Sequence, residues 1–133
     1  MRILYAAARA ALAAIFVRSG WDVLNNPETP AKTAAPALAE IRELSPAELP
    51  DDETLVRINA AAQVAGGIAM AVGIAPRSAA ALLIGSLIPT TYAGHAFWKH
   101  ADPSQRAQQR NQFNKNLGLA GGLVLVIISG RRA

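Results

Sequence analysis

The chain of 133 residues contains no cysteine. That absence excludes disulfides, thiol exchange, zinc–thiolate centres and iron–sulfur clusters, and it leaves the redox compartment open. No hydrolytic triad, phosphate loop or dinucleotide fingerprint occurs. The doublets Gly66-Gly67 and Gly121-Gly122 lie inside apolar runs and cannot cradle a phosphate. Only two histidines are present, His95 and His100. Five residues apart, they would fall on different faces of a helix, and no carboxylate accompanies them in the apolar runs, so no metal site is expected.

The most informative absence is charge. No Asp, Glu, Lys or Arg occurs from Ile58 to Pro76, from Ser78 to Trp98, or from Asn116 to Gly130. A helix needs ~20 mostly apolar residues to cross the hydrocarbon core of a bilayer. The first two runs reach that length, and the third does so if its helix begins near Phe113 and Lys115 snorkels toward the headgroups. A shorter apolar segment opens the chain. It begins Met1-Arg2 and is rich in Ala, but Arg9 interrupts it and no convincing cleavage site precedes Trp21, so it reads as a retained first span rather than a signal peptide.

What charge there is lies outside these runs and is segregated. Residues 25–54 hold seven acids and two bases, a net of −5, and the remainder holds eleven bases and two acids, a net of +9. The bases stand singly at the ends of apolar runs as interfacial anchors and form no continuous basic face. Nucleic acid is therefore not an expected partner.

The pattern predicts an all-α fold: one membrane domain over 1–133, a four-transmembrane-helix antiparallel bundle. The approximate helices are 3–24, 51–74, 78–100 and 111–129. Residues 25–50 hold five of the eight prolines and read as a Pro-rich extramembrane loop between the first two helices, because that spacing excludes one long helix. A short amphipathic helix over Ala37–Leu44 is expected within it, from the spacing of Leu38, Ile41 and Leu44. Asp51 is positioned to cap the second helix, with Asp52 and Glu53 in its first turn. Ala75-Pro76-Arg77 is a tight turn. Pro89 falls within the third helix, where Thr90 and Thr91 can satisfy the carbonyls it frees, and Asp102-Pro103-Ser104 reads as another helix start.

Four spans put both termini on one side. They also put Trp21 and Trp98 at a common interface, where an aromatic belt is expected; Trp21, Phe97, Trp98 and Lys115 are the expected interfacial anchors. Lipid gives no hydrophobic reward for helix association, so close packing relies on small residues. Ala62 with Gly66, Ala69 with Gly73, Ala81 with Gly85, and Gly118 with Gly122 are spaced for it, either within the bundle or in a homodimer. Arg18 and Asp22 can pair on one face. Arg9 either snorkels toward the headgroups near Arg2 or, as an intramembrane arginine usually faces a bundle interior or a wet cavity, marks a candidate ligand site together with Asn59, Gln63 and His95. A channel or transporter would need polar residues through several spans, and the last helix has almost none between Asn116 and Ser129.

Taken in order, these motifs resemble the DoxX family of small bacterial membrane proteins, especially its actinobacterial members. The matching pieces are Ala8-Arg9-Ala10 through Ser19-Gly20, Val56-Arg57-Ile58-Asn59 with Gly66-Gly67, and Ala75-Pro76-Arg77. They continue with Pro89-Thr90-Thr91 to Gly94-His95-Ala96-Phe97-Trp98, and Phe113 to Gly118 with Gly121-Gly122. The resemblance implies a four-helix bundle in the bacterial plasma membrane. It also implies association with redox chemistry, since a related subunit belongs to a thiosulfate:quinone oxidoreductase and mycobacterial relatives are linked to a membrane oxidoreductase complex. The expectation is thus a membrane subunit supporting a quinone-linked system, not catalytic on its own, binding quinone or lipid within the bundle. Membrane lipids and a larger protein complex are its expected partners. The alternative is a non-catalytic structural accessory subunit of a larger membrane complex.

Overall fold

A computed structural model describes residues 1–129; Gly130, where the last charge-free run ends, lies outside the described residues. The protein is all-α, with five helices and no strand among the described residues. They are α1 (Arg2–Asn25), α2 (Glu28–Leu44), α3 (Asp52–Val72), α4 (Pro76–Gly94) and α5 (Pro103–Ser129), with a short 3-10 turn over Phe97–Lys99 between the last two.

The boundaries follow from local chemistry. The Asp51 carboxylate accepts the Thr54 N–H at 3.1 Å and starts α3. Helix α3 ends at Gly73, whose φ of +84° is left-handed. There Ile74 N–H bonds Ala69 C=O at 2.9 Å and Gly73 N–H bonds Met70 C=O at 3.3 Å, a Schellman closure that satisfies the last carbonyls. Ala75 is also left-handed, and Pro76 opens α4 at a position where its missing N–H costs nothing. A Cβ at Gly73 would lie 2.9 Å from an Arg9 guanidinium nitrogen. Gly73→Ala should therefore lose about 1–2 kcal/mol through the left-handed penalty alone. Gly94→Ala, where a Cβ meets nothing within 4 Å, should lose much less when thermal unfolding of the two is compared.

Three sequence expectations are corrected. Residues 25–50 are not a loop, because α2 is a helix of 17 residues running through Pro36. Pro27 precedes its first residue and Pro30 sits in its first turn, where the ring is tolerated. Pro36 lies on the exposed face, while Ala31, Ala34 and Ala37 face inward. The expected third helix stops at Gly94 rather than residue 100. The last one begins at Pro103 rather than 111, with the Asp102 carboxylate accepting the Gln105 N–H at 2.9 Å. Helix α4 does continue through Pro89. Thr90 and Thr91 hydroxyls donate to the Ser86 and Leu87 carbonyls, the two that follow the Gly85 carbonyl deprived by the proline.

Each of α1, α3, α4 and α5 runs antiparallel to the next. Gly20 lies against Ala60 and Gly67 against Val17; Asn59 faces Ser86 and Thr90; Thr91 faces Asn116. Tyr5 Oη reaches Val126 C=O at 3.4 Å and closes α1 on α5. The start of α1, the α3–α4 turn and the end of α5 thus share one end of the bundle. Met70, Leu83 and Leu123 are its largest fully buried side chains, with Phe16 beside them. The tightest contact is between α1 and α3, at Gly20 and Gly67. Of the small-residue pairs read from spacing, Gly66 packs on Leu83 and Gly122 on Leu12, but Gly85 and Gly118 face open space. Two helices, α1 and α3, are long and apolar enough by themselves to cross a membrane.

Candidate functional site

The polar side chains inside the bundle collect at the end where α3 begins and α4 finishes. Asn59 of α3 donates to Thr90 Oγ1 at 2.9 Å and accepts from Ser86 Oγ at 2.9 Å. Gln63, one helical turn on, reaches the same Thr90 oxygen at 3.4 Å. Gln63 and Ser86 are each only 5% exposed. The result is a polar seam zipping α3 to α4, in which each of the four side chains already has a partner.

On the other flank of α4 lies a groove of about 250 Å³ shared with α5. Its walls are Ile84, Leu87, Ile88, Leu117 and Ala120, and Thr91 and Asn116, both half-buried, are polar groups in its lining. Asn116 Nδ2 donates to Thr91 Oγ1 at 2.9 Å, and that hydroxyl is itself committed to Leu87 C=O at 2.7 Å. The Asn116 carbonyl oxygen and its second N–H retain hydrogen-bonding capacity. Tyr92, Trp98 and Phe113 complete the lining. Trp98 meets Phe113 edge-on with centroids 6.1 Å apart, and Phe97 joins both in T-shaped contacts, the geometry aromatic quadrupoles favour.

Helix α2 reaches this end through charge. Glu40 accepts from Tyr92 Oη at 2.7 Å and from Lys99 Nζ at 3.2 Å, and the Lys99 ammonium sits 4.8 Å from the Tyr92 ring centre. The Tyr92 hydrogen bond, and then Lys99, hold the Glu40 carboxyl below the usual carboxylate range. Glu40 conversely raises Lys99. A carboxylate whose folded value is depressed contributes stability above its unfolded value and loses it as pH falls through the folded one, so this contact persists through neutral pH. Arg42, two residues on, bonds Asp52 and the Pro50 carbonyl, tying the same end of α2 to the start of α3.

The four residues read from sequence as one ligand site do not meet. Asn59 and Gln63 share the seam. His95 terminates α4 and pairs through Nδ1 with Gln109 Oε1 of α5 at 2.8 Å. Arg9 is at the opposite end: its guanidinium lies 3.4 Å from Ala71 C=O, about 18 Å along α3 from Asn59. It also lies over the Tyr5 ring and by the Schellman turn, where a cation complements the negative end of the α3 dipole. Its Nε is buried without a partner. Ser86 escaped sequence reading because a lone serine in an apolar run carries no signal of what faces it. Thr91 and Asn116 appeared only within motifs.

Of the expected anchors, Trp21 and Trp98 are 60% and 50% exposed. They share the end of the bundle at which α3 begins, as Arg57 of α3 reaches the Leu24 carbonyl. Phe97 is half-buried and Lys115 exposed. Among the described residues no group of three or more His, Cys, Asp or Glu could hold a metal ion.

No curated protein and no solved structure matches the chain. A family model for DoxX matches residues 4–96, from α1 through the end of α4 and short of the Phe113–Gly122 pieces in α5. That span covers well over half of the sequence, and the chain belongs to the DoxX family of membrane proteins.

Proposed function

We propose that this protein is a four-span subunit of the bacterial plasma membrane that supports a quinone-linked redox system by holding a quinone or lipid in the α4–α5 groove. The spans are α1, α3, α4 and α5, with both termini on one side and α2 lying outside the hydrocarbon. The carrying observation is the Thr91–Asn116 pair, half-buried polar groups in an otherwise mostly apolar groove with aromatic side chains in its lining. Such a cleft, mostly apolar with few convergent polar groups, is what small-molecule sites have in common. Asn59 and Gln63 brace the α4 wall from behind, and His95 with Gln109 fixes the end of that helix. Arg9 serves the fold from the opposite end.

Binding of a short-chain benzoquinone to the detergent-purified protein, followed by native mass spectrometry, tests this reading. Asn116→Leu removes both free hydrogen-bonding groups and should weaken binding about tenfold, the value of one well-made bond to a buried carbonyl. Wild-type protein that takes up neither quinone nor lipid, or an Asn116→Leu variant that binds as well as wild type, would refute it.

A second reading, the non-catalytic accessory subunit of a larger complex, is favoured by one observation. Gly85, Gly118 and Gly121 meet nothing within 4 Å, which leaves flat faces on α4 and α5 where a neighbouring helix, from a partner or a second copy, could approach closely. Stoichiometric co-purification of a protein partner without a bound small molecule would favour this reading.

A further inference from the structure

Helix α2 is held to the bundle by little apolar surface. Its fully buried residues are Ala31, Ala34 and Ala37, with Leu38 half-buried beside them, and alanine buries the least area of any apolar side chain except glycine's bare backbone. Its polar contacts therefore carry a large share of its placement. Two of them, from Tyr92 and Lys99, converge on the single carboxylate of Glu40. Tyr92 lines the α4–α5 groove and packs against Trp98 at a centroid distance of 6.4 Å. Lys99 follows Trp98 in the 3-10 turn. Glu40 itself lines no part of the groove, yet it fixes residues on both sides of Trp98 in space.

We propose that Glu40 of α2 is a positioning residue for the mouth of the α4–α5 groove: it holds Tyr92 and Lys99 so that displacement of α2 opens the groove. The inference rests on the groove reading above for what passes the mouth, but not for the mechanical link. From α4 only Tyr92 faces Glu40, from the 3-10 turn only Lys99, and on α2 itself Glu43 lies one turn on. Tyr92 Oη, with its proton given to Glu40, is unable to donate to a ligand while α2 is in place. Once α2 moves away, that donor is released at the mouth. Helix α2 and groove occupancy are then coupled, and whatever draws α2 from the bundle changes access to the site.

Trp98 reports the link directly. In a Trp21→Phe background the full-length protein has one tryptophan, and acrylamide quenching measures its accessibility. Glu40→Gln and Tyr92→Phe should each raise the quenching constant about twofold, in keeping with the modest strength of exposed polar pairs. Glu40→Lys, which sets two ammonium groups face to face, should raise it further, and adding Lys99→Glu should bring it back. Circular dichroism is expected to show unchanged helix content throughout. In the same samples, Glu40→Gln should speed release of the short-chain benzoquinone.

Quenching that stays at the wild-type value in both Glu40→Gln and Tyr92→Phe would overturn the proposal. If wild-type protein binds no quinone but quenching still responds to Glu40→Gln, the positioning role stands and the ligand reading is what fails.

Discussion

Gly20→Val is expected to destabilise the bundle by about 3 kcal/mol, at the upper end of what overpacking costs. A Cβ at residue 20 would stand 2.6 Å from the Ala60 carbonyl oxygen, 2.9 Å from a Val64 methyl and 3.1 Å from Gln63 Cβ. The first of these is backbone in the middle of α3 and cannot rotate aside. Relief requires α1 to move away from α3 along their whole contact, which also carries Gly67, where a Cβ would meet a Val17 methyl at 2.7 Å. Gly118→Val is the matched control. It makes the same chemical change on an exposed face with nothing within 4 Å, and it should stay within about 0.5 kcal/mol of wild type. Reversible unfolding of the micellar protein by sodium dodecyl sulfate separates the two; equal losses would mean that α1 and α3 do not pack at Gly20.

Asn59→Leu should cost about 2 kcal/mol. The substitution removes two interhelical bonds, to Thr90 and from Ser86, each worth about 0.6 kcal/mol and up to roughly 1.7 in membrane bundles. It also leaves the buried Ser86 hydroxyl without its acceptor, and stranding a buried polar group costs more than the lost bond alone. Gln63→Leu should cost less. Its one bond, to Thr90, is long at 3.4 Å, and Thr90 retains Asn59 and the Ser86 carbonyl. The same unfolding assay ranks the pair, and a larger loss at Gln63 would place the centre of the seam one turn deeper.

Much of this architecture is legible in the sequence because it follows from local chemistry. Charge-free runs mark α3 and α4 and most of the apolar part of α5. Asp51 and Asp102 announce helix starts that both carboxylates cap, and Ala75-Pro76-Arg77 announces the turn between α3 and α4. Helix α2 was hidden by its prolines. A count of prolines argues for a loop, but Pro27 and Pro30 fall before and within the first turn, where a helix tolerates them, and α2 runs through Pro36 at the loss of one backbone hydrogen bond. The end of α4 was hidden for the opposite reason. The apolar, charge-free pattern continues to Trp98, yet the backbone leaves the helix at His95, whose ring turns to Gln109 on another element.

The candidate site was only half legible. Asn59 and Gln63 stand out as amides in an apolar run, but nothing in a sequence says that Ser86 and Thr90 lie opposite them. Arg9 stands out by its charge, and the natural search is for a carboxylate or a ligand. Its partner is instead the carbonyl end of α3 with the Gly73 turn, a partner made only by tertiary folding. The groove escaped for the same reason, since α4 and α5 supply its walls from residues 25 positions apart at Thr91 and Asn116.

The central claim is that four helices cross the membrane and that α2 lies outside it. The absence of native cysteine makes single-cysteine labelling in intact cells the most direct test. Cysteines replacing Thr33 in α2 and Gln108 near the start of α5 should react with a membrane-impermeant maleimide from one side. A cysteine replacing Ser78 at the start of α4 should react only from the other. Cysteines at Gly85 and Val124, outward-facing positions in α4 and α5, should not react from either if both helices cross the bilayer. Labelling at Gly85 or Val124 from water, or labelling of Gln108 from the same side as Ser78, would leave α1 and α3 as the only spans and contradict the account.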